Sequence, residues 1–161
     1  MKPHRKNIRL PKNAYHHKEQ YFITICINER KLLLGEIKNQ INTLNPAGLL
    51  IERIWIEIIS NSKFYSCSDY VVMPNHFHAI LTQNEESPEL TLSDLIRRFK
   101  SKSTVQYING VKQQGFIPFN KKLWQKSFYD RILRSQFELD AAIEYVRNNH
   151  LCWEKDPYHS R

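Results

Sequence analysis

Tyr70-Val71-Val72-Met73-Pro74-Asn75-His76-Phe77-His78-Ala79-Ile80-Leu81 is the stretch on which the fold turns. Its first residues are β-branched and aromatic, and Pro74-Asn75 is a pair that ends a strand and turns the chain. Apolar residues resume at once, so the segment reads as an antiparallel hairpin, with the second strand running from His76 to Leu81. Side chains alternate faces along a strand, so His76 and His78 point one way and Phe77 the other. Two imidazoles one pleat apart can converge on a divalent ion. In isolation the same pattern fits two surface histidines on a half-exposed strand.

On the N-terminal side, Tyr21-Phe22-Ile23-Thr24-Ile25-Cys26-Ile27 reads as a buried strand. Asn28-Glu29-Arg30 can turn the chain into a second short strand around Leu32 to Ile37, giving a hairpin. Asn45-Pro46 is a helix start, followed by Leu49, Ile51, Ile54, Trp55, Ile58 and Ile59 near helical spacing, with Trp55 a core residue. On the C-terminal side, Thr91-Leu92-Ser93-Asp94 is a capping box opening a helix through about Tyr107, with Asn109-Gly110 as its stop. Phe128 to Leu133 makes a further strand, and Ser135-Gln136-Phe137-Glu138 opens a last helix through about Asn148. The order β-β-α-β-β-α-β-α predicts an α+β fold, an antiparallel sheet with helices packed mainly on one face.

A chain of 161 residues suits one domain, spanning 1–161 with a basic lead-in arm over 1–19. The 41% hydrophobic content argues against disorder, and no apolar run approaches the length of a membrane span. Met1-Lys2-Pro3-His4-Arg5-Lys6 is basic but lacks a following apolar stretch, so it is no signal peptide. Cys26, Cys67 and Cys152 are odd in number and far apart, a pattern that suits a reducing compartment and argues against a thiolate zinc site. These features predict a cytoplasmic protein with no membrane partner. The net charge of +8 favours a polyanion as partner, nucleic acid ahead of a membrane surface.

A second constellation lies in the last helix, Tyr145-Val146-Arg147-Asn148-Asn149. Positions four apart share a helical face, so Tyr145 and Asn149 are neighbours. An amide oxygen is a competent ligand for a hard cation, and a tyrosine beside that cation is placed to attack a phosphodiester. Taken alone, Tyr145 equally fits an amphipathic-helix tyrosine packing on the sheet. Basic residues form a third group: Arg97, Arg98, Lys100 and Lys102 on one helix, and Arg131 and Arg134 flanking a strand. Interleaved with Phe99, Tyr107, Trp124 and Tyr129, they could follow a phosphate backbone while aromatics stack on bases. The chain has no Gly-rich phosphate loop, Gly-x-Ser-x-Gly elbow, His-Glu-x-x-His or Asp-x-Asp cluster.

With these pieces in order, the sequence resembles the single-tyrosine HUH transposases (IS200-like), most of all the REP-associated tyrosine transposases. The similarity runs from Tyr21-Phe22-Ile23-Thr24-Ile25-Cys26 and Leu34-Gly35-Glu36, through the Met73-to-His78 segment and Phe99-Lys100-Ser101, to Leu123-Trp124-Gln125, Asp130-to-Arg134, Tyr145-to-Asn149, Trp153 and Asp156. The resemblance implies a ferredoxin-like (RRM-like) HUH nuclease palm. It implies His76, His78 and Asn149 as ligands of Mg2+ or Mn2+, and Tyr145 as the nucleophile that becomes linked to a DNA 5′-phosphate. The implied partner is single-stranded DNA with a hairpin beside the cleavage site. The assembly implied is a homodimer exchanging the tyrosine helix, or a monomer as in the REP-associated branch. The family usually follows the ligand asparagine with proline, and His150 stands there instead.

Two rival readings come from other classes. One is a domesticated hairpin-DNA-binding protein without nicking activity, which would have no use for His76, His78, Tyr145 and Asn149 together. The other is a metal-dependent hydrolase of small phosphoesters, against which the charge of +8 and the lack of a Gly-rich lid loop both count.

Overall fold

The computed structural model describes residues 18–84 and 90–159. Most of the basic lead-in arm, including Arg5, Lys6 and Arg9, therefore lies outside the described residues. The chain forms β1 (Gln20–Cys26), β2 (Gly35–Lys38), β3 (Ile41–Leu44), α1 (Pro46–Ser60), β4 (Tyr65–Met73), β5 (His76–Gln83), α2 (Leu92–Gln114), β6 (Tyr129–Leu133) and α3 (Gln136–Asn148). A 3-10 segment, Asn149–Lys155, follows α3 directly.

The main sheet has the order β4-β5-β1-β6 and is antiparallel throughout. With α1 between β1 and β4 and α2 between β5 and β6, this is the ferredoxin-like βαββαβ topology, so the predicted α+β fold is correct. β1 is apolar on both faces because it is central. Tyr21, Ile23, Ile25 and Ile27 join Phe77, Ala79 and Leu81 of β5 in the large core, while Phe22, Thr24 and Cys26 face the other way. α1 and α2 cover the large core, and Trp55 sits at its centre, 4.8 Å from the Phe77 ring and 5.2 Å from that of Phe99. α3 packs on the opposite face, where Ile80, Leu133, Ala142 and Val146 form a small second cluster. No helix among the described residues is long and apolar enough to cross a membrane.

Capping chemistry sets the helix starts as expected. Asn45 accepts from Gly48 N with Pro46 in the first turn, and Thr91 and Asp94 form a reciprocal capping box. At α3 only half of the box is present: Ser135 accepts from Glu138 N, but the Glu138 carboxylate accepts from Arg134 N.

Two expectations fail. The strand predicted around Leu32 to Ile37 does not pair with β1; β2 pairs with β3 in a separate two-stranded sheet. The 3-10 turn Asn28–Arg30 leads away from β1, whose edges are already taken by β5 and β6. β3 itself was not anticipated, since Ile41-Asn42-Thr43-Leu44 is short and largely exposed. The second failure is Gly110, which does not stop α2; the helix runs on to Gln114 and ends at Gly115, whose φ of 73° is the left-handed C-terminal signal. Gly110 instead gives room for a neighbour. An ideal Cβ there would overlap the Phe116 ring, which folds back on the helix and packs against Tyr107.

This difference sets the sign of a substitution. A stop-signal glycine replaced by alanine would gain about 1 kcal/mol of helix propensity. Here the added methyl must displace a buried aromatic, which costs about 1–3 kcal/mol. We expect Gly110→Ala to lower stability in urea denaturation; a gain in stability would mean that Phe116 is not seated there.

Candidate active site

His76 and His78 enter β5 on the face opposite the large core, paired across the ladder with Cys26 and Thr24 of β1. Both side chains are almost wholly buried, and their rings lie 4.6 Å apart at 74°. α3 crosses this face and brings Tyr145 to His78, ring centroids 5.4 Å apart, with Phe22 at 5.8 Å. The Arg147–Asp69 ion pair, 2.7 Å, fastens α3 to β4. One turn beyond Tyr145, Asn149 is buried at the junction of α3 and the 3-10 segment. His150, in place of the family's proline, occupies the next position of that segment.

Hydrogen bonding decides which atoms of this group remain open. Asn75 Nδ2 donates to two carbonyls, Arg30 O (3.2 Å) and Tyr158 O (2.6 Å). Its Oδ1 is thereby turned to His76 Nδ1 at 2.8 Å. An amide oxygen only accepts, so Nδ1 carries the proton and His76 Nε2 keeps a lone pair. The Asn75 backbone is equally fixed, because Ile27 N donates to its carbonyl and Leu34 N to that of Pro74. His78 Nδ1 is held by the Thr24 hydroxyl at 2.8 Å, which turns its Nε2 away from β1. Asn149 Nδ2 donates to Asp156 Oδ2 at 3.1 Å, leaving Oδ1 uncommitted.

Six buried side-chain polar atoms among the described residues lack a hydrogen-bond partner, and three of them are His76 Nε2, His78 Nε2 and Asn149 Oδ1. Orphaned buried polar atoms are costly, and with His76 beside both His78 and Asn149 they suit a cation once both Nε2 atoms carry lone pairs. The electrostatics agree. Burial, together with His78 and Arg30, holds His76 well below the usual imidazole range despite the opposing Asn149 amide. Burial pushes His78 down to about 4, against a weaker upward pull from the Ile23 backbone. Both rings are therefore neutral near pH 7, the form that ligates. Among the described residues no group of three or more His, Cys, Asp or Glu is arranged to hold a metal. Burial raises the Tyr145 phenol above its ordinary value and the Asp156 carboxylate adds to this, with Asn149 opposing. The phenol is thus protonated at neutral pH and has to be activated in any attack.

The basic residues are dispersed by contrast. Arg131 lies on β6 opposite Phe22, its guanidinium 5.8 Å from that ring and so on the face of the two histidines. Arg134 is exposed just beyond β6. The α2 residues lie across the sheet, because Leu95, Ile96 and Phe99 of that helix pack into the large core. Lys100 donates to Gln125 O and Ser127 O at 2.8 and 3.0 Å, and burial lowers its pKa to about 8. Lys102 pairs with Glu57, and Arg97 with Asp94. Arg97, Arg98 and Lys102 border an open groove between α1 and α2 with Ile58 and Val105.

Sequence reasoning did not single out Thr24, Asn75 or Tyr158, whose ring lies 4.7 Å from His76 and 6.5 Å from Tyr129. Thr24 had a findable signal, as a hydroxyl on the His face of an otherwise apolar strand. Asn75 read only as a turn residue.

Comparisons with known proteins bear on the whole chain. Residues 14–149 match the family model described as transposase IS200-like. An uncharacterized protein of Haemophilus influenzae is 30% identical over 95% of this chain and 92% of its own length. A REP-associated tyrosine transposase solved bound to a REP hairpin superposes with a TM-score of 0.61 at 20% identity, over 85% of this chain and 70% of that one. A candidate transposase from Deinococcus radiodurans gives 0.53 at 17% identity, over 88% and 98%.

The Asn75 contact carries a direct test. Long-range 1H–15N NMR at neutral pH should find His76 as the Nδ1–H tautomer. Asn75→Leu should abolish that preference and cost about 1–3 kcal/mol of stability, since it leaves a buried N–H without an acceptor. An Nε2–H tautomer in the wild type would contradict the assignment.

Proposed function

The chain belongs to the IS200-like transposase family, and from that premise we propose that it nicks and rejoins single-stranded DNA through a covalent bond to Tyr145. The observation that supports this most is the grouping of His76, His78 and Asn149, each with a buried polar atom that has no hydrogen-bond partner, beside the Tyr145 phenol. Two neutral imidazoles and an amide oxygen form a donor set that accepts Mg2+ or Mn2+. When bound, such an ion polarises the scissile phosphate and stabilises the charge that develops on it.

This chain's own residues carry the remaining steps. The Tyr145 oxygen attacks phosphorus, the bond to the 3′ oxygen breaks, and that oxygen takes a proton and leaves as a 3′-hydroxyl. The DNA 5′-phosphate stays on Tyr145 until a 3′-hydroxyl attacks it and releases the phenol, which rejoins the strand. The phenol proton has to be lost during attack, since burial keeps Tyr145 protonated beforehand. Tyr145 faces the His78 of its own chain, which supports action as a monomer. The relative solved with a REP hairpin supports a hairpin-bearing single strand as substrate. A cytoplasmic location is in keeping with Cys26, Cys67 and Cys152 forming no disulfide.

The test is incubation with labelled hairpin-bearing single strands and Mg2+ or Mn2+, scoring protein–DNA adducts that survive denaturation. We expect Tyr145→Phe to abolish the adduct with DNA affinity nearly unchanged. His76→Ala, His78→Ala or chelator should abolish cleavage. Adducts formed by the Phe variant at the wild-type rate would move the nucleophile to another residue, and full activity in chelator would remove the ion from the mechanism.

The DNA path follows from the two faces of the sheet. Arg131 and Arg134 are proposed to hold the strand entering the site, with Arg131, Phe22 and Tyr129 offering a cation and stacking surfaces beside Tyr145. Arg97, Arg98 and Lys102 are proposed to meet only phosphates remote from the cleavage point. Lys100 is proposed to contribute little, as its ammonium already serves two carbonyls. Arg131→Ala with Arg134→Ala should flatten the log–log salt dependence of single-strand affinity by about 0.7 for each phosphate that is no longer neutralised. The Arg97→Ala, Arg98→Ala pair should leave a short unstructured strand unaffected. The reverse pattern would place the strand on α2.

A further inference from the structure

Two of the three unpartnered atoms belong to imidazoles whose rings are held at Nδ1 by Asn75 and Thr24, but the third belongs to an amide that can turn over. A half-turn of the Asn149 side chain would exchange its oxygen for an NH2 donor and aim N–H groups at the two histidines. What selects one orientation is Asp156. Asn149 Nδ2 donates to Asp156 Oδ2 at 3.1 Å, and an ionised carboxylate accepts without donating, so the bond exists only while Oδ1 is left toward the site. Asp156 is itself held, its Oδ1 accepting from Tyr158 N at 2.8 Å. Its side chain is buried, with Oδ2 3.8 Å from His76 Nε2. Resting on the metal-dependent reading above, we infer that Asp156 is a positioning residue: it acts by holding the Asn149 amide oxygen toward His76 and His78, where a divalent cation is bound.

The inference makes an isosteric change costly. In Asp156→Asn the new amide oxygen continues to accept from Tyr158 N, so the new NH2 group faces Asn149 Nδ2. Two donors then oppose each other, Asn149 turns over, and its oxygen leaves the site. Exchanging the two residues, Asn149→Asp with Asp156→Asn, rebuilds the bond with reversed polarity. The amide at 156 then donates to the carboxylate at 149, whose second oxygen stays toward the histidines.

The experiment is a calorimetric titration of the full chain with Mn2+ and no DNA. We expect Asp156→Asn to weaken binding by about 10- to 100-fold, the usual effect of losing a group that orients a ligand. Asn149→Ala with Asp156→Asn should bind no more weakly than Asn149→Ala alone, and the double exchange should recover most of the wild-type affinity. Unchanged affinity in Asp156→Asn overturns the inference and leaves Asp156 as a holder of the Tyr158 segment. A further loss beyond Asn149→Ala overturns it in favour of direct ligation by the carboxylate. No recovery in the double exchange also overturns it. That variant retains every hydrogen bond of the pair, so it decides the question even where Asp156→Asn folds poorly. A wild-type chain that binds no Mn2+ overturns the metal reading itself, an outcome distinct from the other three.

Discussion

The hydrogen bond between His76 Nδ1 and the Asn75 amide oxygen is the contact on which the chemistry proposed for this molecule rests. It fixes a tautomer, and the tautomer decides whether the buried nitrogen at the centre of the site is a donor or a lone pair. The bond is stiff because Asn75 occupies the β4–β5 turn and spends its own donors on two separate loops. A site buried this deeply tolerates no ambiguity, since each misdirected donor in low dielectric costs as much as a hydrogen bond left unmade. The Asn75 amide oxygen can act in one direction only toward His76, whereas the Thr24 hydroxyl can serve either tautomer of His78.

The sheet divides this requirement from the work of folding. One face carries Tyr21, Ile23, Ile25, Phe77 and the cover of α1 and α2, an apolar interior that supplies most of the buried area. The other face carries Phe22, Thr24, His76 and His78, with α3 resting on a cluster of only a few side chains. Polar groups can be concentrated on the second face because the first supplies the stability. The period of two along β1 and β5 makes the separation automatic, and a one-residue slip in register would place both histidines in the core.

Much of this was legible in the sequence, for identifiable reasons. Strand alternation placed His76 and His78 on one face, helical spacing placed Tyr145 beside Asn149, and the caps at Asn45, Thr91 and Ser135 located the helix starts. These are local rules and need no knowledge of the rest of the chain. What escaped depends on distant partners. Gly110 has the composition of a stop, yet Phe116 must fold back before its role as a seat exists. The strand at Gly35–Lys38 has β character, but its partner was decided by β6, far later in the chain, occupying the edge of β1. Lys100 looks like its basic neighbours until the 125–127 loop arrives to accept from its ammonium. The resemblance to the single-tyrosine HUH transposases supplied the roles of the residues, which spacing alone left open.

The placement of Tyr145 on α3 and of Asn149 at its C-terminal end has a mechanical consequence. Their backbone spacing is set by a single helical turn, while the Asn149 amide is hydrogen-bonded to Asp156, outside α3. Their distance from the histidines, by contrast, is set by how α3 sits on the sheet, and that seat is slight: Ala142 and Val146 are its only buried side chains. The Arg147–Asp69 pair is largely exposed on the arginine side and so contributes little on its own. The Asn149–Asp156 bond lies at the buried end of the helix, inside the site. The amide is thus held where the helix meets the histidines, while Phe137 at the other end is exposed. The turn that carries Tyr145 is thus joined to the sheet by a small apolar cluster, an exposed ion pair and ring contacts, rather than by the large core.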